Sequence, residues 1–119
     1  MQYAILIYGD EKAAEKMSKA DGDKVFSEYM QYTQELIKAG VMKGGQPLKE
    51  SSTATSLRTK GGKIVATDGP FAETKEQLGG FYLIEAKDLE EALAWAKKCP
   101  GVRWGGTLEV RPVMEIPGM

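Results

Sequence analysis

Between residues 68 and 76 the chain collects the side chains best suited to chemistry: Asp68, Glu73, Lys75 and Glu76, in the run Asp68-Gly69-Pro70-Phe71-Ala72-Glu73-Thr74-Lys75-Glu76. A carboxylate held at a strand end can act as a general base or bind a polar ligand. Asp68 is the first candidate, with Glu73 as a further acid–base group and either Glu73 or Lys75 pairing with Asp68 to tune one carboxylate. The same residues have a structural reading. Asp68 can accept hydrogen bonds from backbone amides ahead of it, Gly69 can take a conformation other residues avoid before Pro70, and Phe71 can plug the loop into the core. Glu73, Lys75 and Glu76 are then a solvated charge cluster. Two carboxylates beside an amine fall short of the oxygens a hard cation wants, so no metal and no cofactor are expected.

The chain has no histidine. That excludes Ser-His-Asp and Cys-His nucleophile pairs and removes the commonest metal ligand. Acid–base chemistry must come from Asp, Glu, Lys, Tyr or the single cysteine, Cys99. One cysteine forms no internal disulfide, and the first ten residues lack a signal peptide's basic region and long apolar stretch, so a cytoplasmic setting is expected. No segment reaches the length of a membrane span. The net charge of -1, with lysine and arginine dispersed, leaves no basic stripe for nucleic acid.

The elements that must position the loop follow from period and punctuation. At 119 residues the chain suits one domain, 1–119. Tyr3 to Tyr8 is apolar at every position, as is Phe81 to Ile84, and both read as strands buried on two faces. Residues 11–22 read as connection. Val25, Phe26, Tyr29, Met30, Thr33, Leu36 and Ile37 define the buried stripe of a helix over 23–39, with Glu28 among the residues facing away. Asp21 or Asp23 can cap that helix and Gly40 can end it. Residues 41–48 read as a short, glycine-broken strand that Pro47 consigns to an edge or a loop, and 53–59 with 62–67 form a hairpin around a Gly-Gly turn. Asp88 and Glu91 make a capping-box pattern for a helix that Cys99-Pro100-Gly101 stops. The last strand alternates, Leu108 and Val110 on one face and Glu109 and Arg111 on the other, with Pro112 marking an edge.

This order predicts a ferredoxin-like βαββαβ α+β sandwich with an extra β-hairpin, both helices on one face of the sheet. The strands' second apolar face then needs a cover, and a second copy of the chain supplies one, so a homodimer is expected. Tyr8, Tyr82 and Arg111 lie on strands that could line the space between two such sheets. The tyrosines read more readily as core residues with satisfied hydroxyls, and Arg111 could pair with Glu109 of the partner subunit or bind an anion. Four Gly-Gly pairs fit no phosphate-binding pattern. Cys99 reads as a small buried residue.

The run from Asp68-Gly69-Pro70-Phe71 through Glu73, Lys75, Gly79-Gly80 to Tyr82 resembles the signature of the YCII-related proteins, in the subgroup named after its Asp-Gly-Pro-Phe core. Asp88 to Trp95, Glu109 to Val113 and Tyr3 to Asp10 extend the similarity over the chain. The resemblance implies a dimeric α+β barrel. Some members of the wider family look like small-molecule enzymes with a histidine and an aspartate in the site, a mechanism that this histidine-free chain cannot share. The subgroup's link with alternative sigma factors implies an accessory role. Three readings follow: an enzyme on a small polar metabolite, with Asp68, Glu73 and Lys75 catalytic and Tyr8, Phe71, Tyr82 and Arg111 binding; a non-catalytic ligand-binding module; and a partner of a transcription factor, with no direct contact to nucleic acid.

Overall fold

Along the 119 residues, all described by the computed structural model, the elements run β1 (Gln2–Gly9), α1 (Glu11–Glu15), α2 (Lys19–Lys38), β2 (Met42–Pro47), β3 (Thr55–Lys60), β4 (Lys63–Asp68), β5 (Gln77–Glu85), α3 (Leu89–Ala96), α4 (Pro100–Arg103) and β6 (Thr107–Pro112). The two strands richest in consecutive apolar residues take the centre of a four-stranded sheet of order β2-β5-β1-β6. Every neighbouring pair is antiparallel, an α+β arrangement consistent with a ferredoxin-like fold. Pro47 and Pro112 fall on the two edge strands, where a missing N–H leaves no inner ladder broken.

β3 and β4 form a separate two-stranded ribbon. Gly61 and Gly62 join them with φ of 56° and 79°, the left-handed pair that a two-residue hairpin turn requires.

One face of the four-stranded sheet is covered by helices. Tyr3 and Ile5 from β1, with Tyr82 and Ile84 from β5, meet Tyr32 and Leu36 of α2, Ala92 and Ala96 of α3, and Cys99. Leu36 is completely buried, a burial that stabilises by about 1.5–3 kcal/mol. Tyr32 and Tyr82 pack edge to face with centroids 5.3 Å apart. Burial pushes the Cys99 thiol pKa up, consistent with an unreactive packing residue.

Three expectations need correction. The stretch 11–22 is not plain connection. Asp10 caps α1 by accepting from Lys12 N and Ala13 N, and α2 begins at Lys19 because Ser18 Oγ accepts from Asp21 N at 3.1 Å. The buried stripe of α2 is also turned relative to the expected one: Tyr32 and Leu36 lie inside, while Phe26 is 68% exposed and Met30 and Ile37 are exposed too. Docking of Tyr32 on Tyr82 selects that rotation, and it turns Glu28 inward. Finally, Phe71 does not plug the core. It is 76% exposed, because the ribbon that leads to it stands away from the sheet and leaves it no core to enter.

Candidate functional site

Alternation along the strands defines the face opposite the helices. With Tyr3, Ile5, Tyr82 and Ile84 inside, the other face of the sheet receives Ala4, Leu6 and Tyr8 from β1, Phe81 and Leu83 from β5, and Glu109 and Arg111 from β6. The register sets Leu6 between Phe81 and Glu109, and Ala4 between Leu83 and Arg111. These apolar side chains stay part-exposed. Arg111 stands at the margin of this floor with its side chain 70% exposed, its one ion-pair contact being Glu109 at 4.0 Å. The face is therefore an apolar floor with a loosely held guanidinium at one end and a phenol, Tyr8, at the other.

Tyr82 lies on the opposite face, in the core beneath α2. Its hydroxyl is 2.8 Å from Thr33 Oγ1, and burial pushes its pKa up. Of the three strand residues that could line a space between sheets, Tyr8 and Arg111 reach the open face and Tyr82 does not.

The loop residues do not assemble. Asp68 ends β4 with its backbone in register with Thr55, and the ribbon base is closed by Gly69 N donating to the Ala54 carbonyl and Ser56 Oγ to the Gly69 carbonyl. Backbone and Ser56 thus hold the turn, and the Asp68 carboxylate makes none of the side-chain hydrogen bonds expected of it. Neither Glu73 nor Lys75 pairs with Asp68; both are exposed and take part in none of the chain's four ion pairs. Both lie in the irregular segment 69–76 that follows the ribbon. No three His, Cys, Asp or Glu side chains come close enough to hold a metal ion.

Two clusters escaped the sequence reading. At the end of the sheet where β5 begins, Glu11 accepts from Ser51 N at 2.7 Å and Ser51 Oγ at 2.5 Å, while its own N–H donates to Gln77 Oε1 at 3.0 Å. Gln77 Nε2 in turn donates to the Thr74 carbonyl. This network ties α1 to both approaches of the ribbon. Next to it, Glu76 Oε1 is shielded from solvent and has no hydrogen-bond partner. On the helix side, Glu28 Oε1 accepts from Arg103 Nη2 at 2.7 Å and Trp104 Nε1 at 3.2 Å. Both networks join residues 40 or more positions apart, and no local pattern marks them.

No helix is long and apolar enough to cross a membrane. The YCII-related domain matches residues 1–117. An uncharacterised protein of Rhizobium meliloti (strain 1021) is 38% identical over 114 residues, which cover 95% of this chain and 92% of that protein.

Proposed function

The chain belongs to the YCII-related family, and we propose that it works as a symmetric homodimer holding a small anionic metabolite between two opposed sheets. Pressed together, the open faces of two copies make a dimeric α+β barrel. The Asp68-Gly69-Pro70-Phe71 core supports placing the chain in the subgroup named after those residues.

The observation that carries the ligand is Arg111. Its guanidinium sits beside an apolar floor, and its contact to Glu109 is long and exposed. A guanidinium presents a planar fork suited to carboxylate or phosphate oxygens, and exclusion of water by the opposing sheet strengthens that attraction. Tyr8 supplies a phenol at the other end of the same floor.

Acid–base chemistry is a second reading, favoured by the Asp68 carboxylate having no side-chain partner in its own chain. Its charge is then free to take a proton from a bound substrate, with Glu73 and Lys75 further along the same loop.

Thermal unfolding with inorganic phosphate, malonate and citrate as probes tests the binding. A saturable rise in midpoint is expected for the parent and not for Arg111→Gln. A parent that none of the three anions stabilises overturns the reading. Saturable binding without consumption selects the non-catalytic module; turnover lost in Asp68→Asn selects the enzyme.

A further inference from the structure

The β3–β4 ribbon is exposed in a way the rest of the chain is not. Every residue of β4 and every residue of β3 except Ser56 is exposed. Cross-strand partners share a face, so Leu57 with Ala66 and Thr59 with Ile64 form one face, and Arg58 with Val65 and Lys60 with Lys63 form the other. The first face is apolar, yet Leu57 is 67% and Ile64 76% exposed. A two-stranded ribbon alone in water is marginal. The ribbon also stretches the molecule: its radius of gyration is 16.4 Å, where a compact chain of this length has about 13.5 Å.

A fitting surface lies at the far end of the sheet. The segment after β6 forms a groove whose walls include Met1, Val113, Met114 and Ile116, together with Glu85 and Glu115; the Met1 ammonium pairs with Glu85, and Glu115 takes part in no ion pair. Met114 is 82% exposed. The ribbon leaves the sheet where Gln77 pairs with Gly9, whereas the groove adjoins Glu85, paired with Gln2. The eight residues of β1 separate them by about 23 Å. A second copy stacked with its strands reversed brings ribbon and groove together at both ends.

We propose that the β3–β4 ribbon is an arm exchanged between two copies. Leu57, Ile64 and Ala66 of one copy cover Met114 and Ile116 of the other, and the basic tip, with Lys60 and Lys63 on the arm's outer face, lies beside Glu115. The alternative stacking, with strands aligned, sets arm against arm. It gathers Arg58, Lys60 and Lys63 of both copies with only the two Asp68 carboxylates to offset them, and charge disfavours it. Strand reversal also carries Asp68, on the apolar face at the arm's base, towards the end of the partner where Arg111 lies. Each ligand chamber then draws Tyr8 and Asp68 from one copy and Arg111 from the other. This inference rests on the homodimer proposed above.

The test uses Ile64→Cys, Met114→Cys and the double variant, treated with a short flexible bis-maleimide and run on a denaturing gel. Cys99, fully buried, stays inert in all three. The exchanged arm gives at least ten-fold more covalent dimer in the double variant than in either single one. Dimer from Ile64→Cys alone means arm against arm and overturns the placement. So does a double variant that links within one chain or not at all. Sedimentation of the untreated parent separates the two failures: a monomer removes the homodimer itself, whereas a dimer without the double-specific product removes only the arm's placement.

Discussion

Tyr82 donates its hydroxyl proton to Thr33 Oγ1 across 2.8 Å, because Thr33 already gives its own proton to the Tyr29 carbonyl at 2.9 Å. The tyrosine is therefore a satisfied core residue that links β5 to α2. Tyr82→Phe keeps the ring against Tyr32 and removes one hydrogen bond. Urea unfolding at fixed protomer concentration is expected to show a loss of about 1 kcal/mol, with the phosphate-induced shift in midpoint unchanged. A normal fold with lost anion binding would instead put Tyr82 in the ligand site.

Asp68→Asn is expected to leave stability within about 0.5 kcal/mol of the parent. The turn after β4 is held by Gly69 N on the Ala54 carbonyl and by Ser56 Oγ on the Gly69 carbonyl, neither of which uses the carboxylate. A loss above roughly 1.5 kcal/mol in urea would show that the carboxylate anchors the turn after all.

The central strands were legible because Tyr3 to Tyr8 and Phe81 to Ile84 are apolar without a break, and the edges because Pro47 and Pro112 cannot donate. Gly61-Gly62 marked the turn of the ribbon and Asp88 the start of α3 for equally local reasons. The rotation of α2 was not legible. Phe26, Met30 and Ile37 are as apolar as Leu36, and only the seating of Tyr32 on Tyr82 decides which of them face the sheet. Phe71 is a similar instance, since an aromatic after a turn enters a core only where one lies within reach. Among the candidate site residues, the face of Arg111 was legible from strand alternation, which is local. Tyr8 and Tyr82 sit in runs apolar at every position, and their opposite faces were not legible. The grouping of Asp68 with Glu73 and Lys75 rested on closeness along the chain, and no ion pair joins them in the fold.

Glu28 gives the fold a pH dependence of known sign. The hydrogen bond from Trp104 Nε1 holds its carboxyl below the usual carboxylate range, with Arg103 and Lys24 acting the same way and burial opposing them. A depressed folded-state value means that this stabilisation is fully present above the unfolded value of about 4.3 and is lost as pH falls through the folded one. Glu28→Gln is therefore less stable than the parent at neutral pH, and the gap closes in acid. Urea unfolding of both proteins across that range checks it; a gap of constant size would mean that the charge on Glu28 plays no part.

Gly106 connects the fold most directly to the proposed site. A Cβ there would lie 2.5 Å from the Tyr8 carbonyl oxygen and 3.0 Å from that of Gly101, both backbone atoms that cannot swing aside. Gly106→Ala must push the end of β1 away from the turn before β6, and a loss of more than about 2 kcal/mol is expected. Gly105→Ala is the control. Its φ of +89° makes alanine strained, but nothing lies within 4 Å of the new methyl, so about 1 kcal/mol is expected. The two also differ in function. Because the displaced carbonyl belongs to Tyr8, Gly106→Ala is expected to weaken anion binding as well as the fold, whereas Arg111→Gln weakens binding alone. If Gly106→Ala loses stability yet binds phosphate like the parent, Tyr8 lies outside the ligand site and the anion is held at the Arg111 end of the sheet.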